Sequence, residues 1–494
     1  MTEPEHPEQP WMRLDKRMLL VHPITEAVKM LPVLIASLFI GTQSGNHFFG
    51  LIALAVIVAF AIGRWFTTSY RIGPTNIELR TGLLERKKLS IPRSRIRSVD
   101  VEANLMHRIL GLSVVRIGTG TGKSDEKFEL NALAEADVPA LRQTLLQNHA
   151  PIPDAVTGDA PQTREIAHFS LGWVRFAPFS SSGVIAVAAI IGLVFQYGLG
   201  EKLAESQSAQ DIAESATVTG IVIAAILGLV LLLVIASVAA CVFYLLLYGN
   251  LQVIDDGRVL HVSHGVLKTR QVSLDRKRLR GTTAIRPLLI RLVGGGRLDA
   301  IMTGVSAGKK ESSLVLPLAP FNEVTRASAD LTGAELTTTP LRHHGPAARR
   351  RRFTRALLPV AVVTMALGIV AVFVHVPPLV WGLVAVIAIA ASALAWDRYR
   401  GLGHATPHGW LITQYGSLDR RRHSIQAPGI IGWTVRQSFF QRRAGVATIV
   451  AATPAGRGHY EVIDVPADQA WSLIAAVQPG AGDRWARQRI GAGR

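Results

Sequence analysis

The chain has 494 residues, room for about three domains of roughly 150 residues each, and 49% of them are hydrophobic although only 6% are aromatic. The surplus of Ala, Val, Ile and Leu falls in long runs, which points to lipid rather than to a large soluble core. With 53 Lys and Arg against 35 Asp and Glu the net charge is +18, and the single cysteine, Cys241, excludes an intrachain disulfide or a Cys-based metal site.

In chain order, residues 1–29 begin acidic and proline-rich, without the basic and apolar regions of a cleavable signal peptide, so the first span is expected to act as its own insertion signal. Three paired apolar segments follow, within 30–66, 183–248 and 356–397. The first pair, Leu31–Gly41 and Phe49–Ile62, is short for about 30 Å of hydrocarbon at about 1.5 Å per residue, so it either spans or forms a re-entrant hairpin. The second pair, Gly183–Leu199 and Val218–Tyr248, and the third, Ala356–Val374 and Leu379–Trp396, meet the length requirement. Lipid cannot satisfy exposed backbone amides, so each span is expected to be a helix.

The connections within the pairs, Thr42–Phe48, Gly200–Thr217 and His375–Pro378, contain Lys202 as their sole Lys or Arg. Arg13, Lys16, Arg17, Lys29, Arg64, Arg71, Arg352, Arg355, Arg398 and Arg400 flank the opposite ends of the spans. The positive-inside bias then predicts that both termini and the soluble modules face the cytoplasm. Those modules occupy 67–150, 249–335 and 398–480, separated by an interfacial linker at 151–182 and a basic linker at 336–355, with a basic tail at 481–494.

The modules are repeats of one another. Sliding Gly82 onto Gly265 and Gly416 aligns GLLERKKLSIPRSRIRSV, GVLKTRQVSLDRKRLRGT and GSLDRRRHSIQAPGIIGW without a gap. In the same frame Ser90 meets Ser273 and Ser424, Arg108 meets Arg291 and Arg442, and Gly111 meets Gly294 and Gly445. Matching glycines, serines and arginines in one frame argue for duplication. In the first repeat short alternating stretches at Ile77–Arg80, Lys88–Ile91, Ile96–Val101 and Val114–Gly118 read as strands. Amphipathic helices are predicted to close the three repeats at Ala134–Gln147, Phe321–Thr332 and Ala467–Val477.

With the His22-Pro23-Ile24-Thr25 lead-in to the first span, the span-pair-then-module order and the Gly82-Leu83-Leu84 to Arg108-x-x-Gly111 frame, the chain resembles the bacterial pleckstrin-homology-like membrane proteins of the YdbS and YdbT type. Its triple-module layout is like YdbT. The resemblance implies a cytosolic pleckstrin-homology-like (PH-like) barrel repeated three times. It further implies an envelope accessory role without an assigned reaction, in maintenance or in defence against membrane-active agents. A membrane-protein partner, such as a smaller protein of the same family, belongs to the same implication. The third repeat departs from its siblings, with Ala427, Gly429 and Ile431 where the others carry Arg93, Arg95, Arg97 and Arg276, Arg278, Arg280.

The chemistry-bearing motifs are mostly near misses. GTGTGKS at Gly118–Ser124 fails the phosphate-loop spacing by one residue, because the first glycine would have to fall on Ile117. His343 and His344 sit in a linker, and no HExxH, Gly-x-Ser-x-Gly or carboxylate pair stands out. No catalytic residue, metal or cofactor is therefore expected. The charge concentrates in Arg93, Arg95, Arg97 and in Arg276, Lys277, Arg278, Arg280, where alternation would put three arginines of each set on one strand face toward lipid headgroups or an acidic partner. These clusters lack interleaved aromatics for base stacking, which disfavours nucleic acid.

Together these readings give an α+β membrane protein: six transmembrane helices in three hairpins, each hairpin followed by a small PH-like β-barrel or sheet module capped by a C-terminal helix. The expected function is a non-enzymatic scaffold at the bacterial inner membrane that binds a partner protein or anionic lipid. The alternative is a transporter or lipid flippase, which calls for ionisable residues inside the spans. The four longer spans contain none.

Overall fold

A computed structural model of the chain describes residues 11–18, 66–73, 75–81, 87–93, 96, 98–118, 128–141, 163–180, 183, 185, 192, 218–304 and 313–481. Among them three helices are long and apolar enough to cross a bilayer: Val218–Tyr248, Gly345–Phe373 and Pro378–Arg400. Most of their large apolar side chains are exposed, as lipid-facing helices require. Three such helices are fewer than the six expected. Leu31–Gly41, Phe49–Ile62 and most of Gly183–Leu199 lie outside the described residues. Pro378 opens the last helix at a position where its missing N–H costs nothing.

The three repeats share one order of elements. The first is preceded by β1 (Met12–Arg13) and contains β2 (Ser69–Ile72), β3 (Asn76–Thr81), β4 (Lys87–Pro92), β5 (Ser98–Ala103), a short helix Leu105–Ile109, β6 (Leu112–Gly118) and β7 (Phe128–Ala134). After β8 (Arg164–His168), the second contains β9 (Gln252–Asp255), β10 (Val259–His264), β11 (Thr269–Asp275), β12 (Leu279–Pro287), a short helix Leu288–Leu292, β13 (Gly295–Met302), β14 (Leu314–Pro320) and the helix Phe321–Thr332. The third contains β15 (Gly403–Ala405), β16 (Trp410–Tyr415), β17 (Asp419–Gln426), β18 (Gly432–Arg436), a short helix Phe439–Arg443, β19 (Val446–Ala452), β20 (His459–Pro466) and the helix Ala470–Val477.

Each short helix ends on the glycine of the aligned frame. Gly111, Gly294 and Gly445 all have φ between 65° and 79°, a region glycine enters without the Cβ penalty of other residues. The predicted helix Ala134–Gln147 begins later than expected, because Ala134 completes β7 by pairing with Leu112 and Glu135–Asp137 make a 3-10 turn. The predicted Phe321–Thr332 helix forms over those residues.

The chain divides into two compact units. In the first, β1-β2-β3-β4 form one sheet and a second runs β7-β6-β5-β11-β10-β9. Ile77, Leu79 and Ile91 from one sheet and Val99, Leu112, Phe128 and Leu130 from the other bury into a common core with Val138 and Leu141. In the second unit one sheet runs β14-β13-β12-β17-β16-β15 and another β18-β19-β20. Leu411, Ile425, Ile449, Tyr460 and Val462 form its core under Leu473, Ile474 and Val477.

The repeats are thus joined through their sheets. Strand β5 of the first repeat pairs antiparallel with β11 of the second, setting Asp100 opposite Val272. Strand β12 of the second pairs with β17 of the third, setting Thr283 opposite His423. The glycine alignment superposes Asp100 on Thr283 and Val272 on His423, so both junctions have the same register. Each junction spends backbone donors and acceptors that would otherwise line an open sheet edge.

Burial also leaves the second unit with neutral histidines. His344 donates from Nδ1 to the Ile463 carbonyl at 2.7 Å, so its bare Nε2 accepts from His404 Nδ1 at 2.8 Å. Desolvation, then neighbouring positive charge, pushes His404 and His423 down to about 4 and about 3; desolvation likewise outweighs the Ile463 bond and takes His344 to about 4. The unfolded chain binds protons at these sites below its ordinary histidine pKa of about 6.5, whereas the folded one does not. Stability of this unit is therefore expected to fall as pH drops from about 6.5 to 4, by on the order of 2 kcal/mol per histidine. Melting curves of the detergent-solubilised protein at pH 7.5, 5.5 and 4.5 check this, and His423→Asn should flatten the dependence.

Candidate membrane-facing site

All three membrane-length helices are tied to the second unit by polar contacts at their ends. Tyr244 donates to the Leu318 carbonyl at 2.6 Å, and Arg351 and Arg352 pair with Asp464 on β20 at 2.7 and 2.9 Å. Asp397, in the last turn of Pro378–Arg400, accepts from Arg291 at 2.7 Å, from the Ser417 hydroxyl at 2.8 Å and from Arg420 at 2.8 Å. Arg291 lies on the short helix of the second repeat and Ser417 on the β16–β17 hairpin tip of the third. That helix and that tip are consequently held at the end of a span, beside Trp396 and Tyr399, the residue types enriched where bilayer meets water.

The same helix and tip expose large apolar side chains. Leu292 is 75% and Leu418 59% exposed, with Leu289 and Val293 alongside. The Leu288 amide donates to the Leu418 carbonyl at 2.8 Å, which fixes the two together. The first unit repeats the arrangement. Leu105, Met106 and Ile109 are exposed on its short helix, Val266 and Leu267 on the β10–β11 tip, and Arg108 donates to the Val266 carbonyl at 2.6 Å. Arg108 and Arg291 are the aligned arginines of the repeat frame, so that frame marks a contact between one repeat's short helix and the next repeat's hairpin tip. In the third repeat the aligned Arg442 is exposed.

An exposed apolar cluster beside arginines at the end of a span has the chemistry of an interfacial segment: aliphatic groups enter the acyl boundary while cations stay among headgroups. Sequence reasoning did not single out these apolar residues. What could have revealed them is the coincidence of Leu105, Leu288 and Phe439 in the aligned frame.

The basic residues named from sequence are arranged differently from the expected strand face. Arg276–Arg278 form a 3-10 turn, and strand β12 starts only at Leu279, so Arg276, Arg278 and Arg280 do not share one face of a strand. The acidic neighbours explain the turn's conformation: Arg276 pairs with Asp255, while Arg278 pairs with Asp275 at 3.3 Å and donates to the Ile96 carbonyl at 2.9 Å. Lys277 is exposed. In the second unit the Arg280 side chain lies against Gly429, where a Cβ would meet its Cδ at 2.9 Å. Arg93 is half-buried, and Arg95 and Arg97 lie outside the described residues.

Charge is organised more tightly at the first junction than in these clusters. Glu102 on β5 is nearly enclosed and pairs with Lys268 at 2.7 Å and Arg270 at 3.6 Å, and its short bond to Arg116 completes the set. Burial alone would raise the Glu102 carboxyl, but the Lys268 hydrogen bond and the three positive charges outweigh it and hold the group below its usual range.

The bacterial PH domain family model matches residues 28–149 and 357–479, each match running from an expected span pair through the module that follows it. Two stretches of the chain are thus similar to the bacterial PH domain, and the layout is YdbT-like. It is similar to the UPF0699 transmembrane protein YdbT of Bacillus subtilis (strain 168), with 22% identity over 323 residues. That alignment covers 61% of this chain and 64% of the relative, so the chain spans just under two thirds of the relative's length. No solved structure matches. The second PH-like repeat lies outside the two matched ranges, yet its element order and junction register equal those of its neighbours.

Proposed function

We propose that this membrane-associated PH-domain protein is a non-enzymatic scaffold of the inner membrane. Its three PH-like repeats face the cytoplasm, lie against the bilayer surface, and bind anionic lipid or a partner protein there. Six spans in three hairpins would anchor it, with the linkers and basic tail on the same side as the repeats. The observation that carries the reading is the exposed apolar cluster of Leu289, Leu292 and Leu418, held by Arg291 and Ser417 against Asp397 at the end of a membrane-length helix. Among the described residues of the cations named from sequence, Lys277 is the one whose exposure suits a headgroup or an acidic partner surface most directly.

A nitroxide placed at position 292 in a Cys241→Ala background tests the apposition. In nanodiscs containing phosphatidylglycerol, membrane-dissolved oxygen is expected to relax this label more strongly than a water-soluble nickel chelate does. Equal access of the chelate to position 292 and to a nitroxide on an unfolded peptide would refute the reading. Replacing Arg93, Arg95, Arg97, Arg276, Lys277, Arg278 and Arg280 together by Gln should weaken the preference for phosphatidylglycerol over phosphatidylcholine if these residues contact lipid.

A further inference from the structure

The junction between β12 and β17 encloses a cavity of about 290 Å³, entirely within the second unit. Its floor is one face of the paired strands, where Thr282 stands opposite Ser424, Ala284 opposite Arg422, and Arg286 opposite Arg420. The helix Phe321–Thr332 crosses above this face, and Arg286 stacks 3.8 Å over the Phe321 ring. Three guanidinium groups therefore reach one cavity, and among the described residues no carboxylate lines it.

Their pairing is incomplete. Arg420 is partly compensated by Asp397, and Arg422 donates to the Leu336 and Thr339 carbonyls at 2.9 and 3.0 Å. Neither contact reaches the Nε atoms: those of Arg286, Arg420 and Arg422 are buried without a hydrogen-bond partner. Like charges directly opposed across a strand pair destabilise it, and buried cations without anions are costlier still. Desolvation, joined for Arg286 and Arg420 by repulsion from neighbouring arginines, lowers all three groups from the ordinary arginine value. The fold itself does not demand this charge. At the first junction, built in the same register, the equivalent positions are Val99, Val101 and Ala103 opposite Ser273, Gln271 and Thr269.

We infer that this cavity binds a phosphate-bearing anion, held by Arg286 and Arg422 with Arg420 at its rim. Planar guanidinium forks suit phosphate oxygens, and the Thr282 and Ser328 hydroxyls, 2.9 Å apart at the inner end, offer further donors. Because Arg420 bonds to the end of a membrane-length helix, a lipid headgroup lies within reach as well as free phosphate. The site deepens the membrane-surface reading but stands or falls separately, since phosphate binding needs no bilayer and the nitroxide measurement needs no cavity.

The test is thermal unfolding of the full-length, delipidated protein in neutral detergent, titrated in one arm with inorganic phosphate and in the other with dihexanoyl phosphatidylglycerol. Wild type should be stabilised, and Arg286→Gln and Arg422→Gln should each need about tenfold more anion for the same shift, as expected for loss of one charge-assisted contact. A response to both probes supports the shared phosphate chemistry. A response to the lipid alone assigns the headgroup as its source, and a response to phosphate alone assigns the free ion. Without ligand Arg286→Gln should melt no lower than wild type, because it removes an uncompensated charge; a purely structural arginine would give the reverse. Should either Gln variant fail to fold, Arg286→Lys and Arg422→Lys, which keep the charge and lose the fork, carry the same comparison. No shift with either probe, or variants that respond like wild type, overturns the assignment.

Discussion

Asp464→Ala is expected to destabilise the protein by about 3–5 kcal/mol, because it leaves buried charge without its partner. Asp464 is fully buried and accepts from Arg351 at 2.7 Å and from Gln441 at 2.8 Å, while Arg352 pairs with it at 2.9 Å. Arg351 and Arg352 belong to the membrane-length helix Gly345–Phe373, and Gln441 to the short helix of the third repeat. One carboxylate therefore fastens a span, a strand and the capped helix Phe439–Arg443. Alanine would leave two arginines almost without water and without a counter-charge. The melting temperature in detergent should fall by many degrees, and limited proteolysis should open the segment before Gly345 first. Asp464→Asn keeps an acceptor for Gln441 while removing the charge, so it should fall between wild type and alanine. A melting temperature for Asp464→Ala within a degree of wild type would mean that the two arginines find other partners.

Gly281→Val should break the junction between the second and third repeats. Gly281 starts the β12–β17 pairing opposite Ile425 at φ 150°, where L side chains are strained. A Cβ would overlap the Ser424 carbonyl oxygen, with the Ser424 carbonyl carbon at 2.9 Å and Ile425 Cα at 3.1 Å. All three atoms are backbone, so relief requires the strands to part. Overpacking of this kind costs about 1–3 kcal/mol, and lost ladder bonds add to it. Faster hydrogen exchange at Leu279–Pro287 and Asp419–Gln426 is the expected signature. Gly432 occupies the equivalent place in the third repeat, but a Cβ there meets only Ala452 at 4.0 Å. Gly432→Val should accordingly leave exchange in both strands unchanged, and equal effects of the two substitutions would show that the sheet, not the junction, is sensitive.

The contrast between these glycines also separates what a sequence carries from what it does not. Gly111, Gly294 and Gly445 were legible because each ends a short helix at positive φ, a backbone demand met by one residue type at one fixed spacing. The strand at Lys87–Pro92 and the helix at Phe321–Thr332 were legible from periodicity, since alternating or helical spacing is a property of the segment itself. The triplet Arg276, Arg278, Arg280 misled because Asp255 and Asp275 draw the chain into a turn where alternation implied a strand.

The amino-acid sequence by itself determined the membrane class, the positions of three long apolar helices, the threefold repeat and its glycine frame, because bilayer thickness and backbone conformation constrain residue type locally. Only the tertiary structure decided which strands neighbour which. An antiparallel edge is recognised through backbone N–H and C=O groups that every residue shares, so nothing in β5 or β12 announces that its partner belongs to the next repeat. For the same reason Arg286, Arg420 and Arg422 look unrelated along the chain and become one cationic cavity when β12 and β17 are zipped in register.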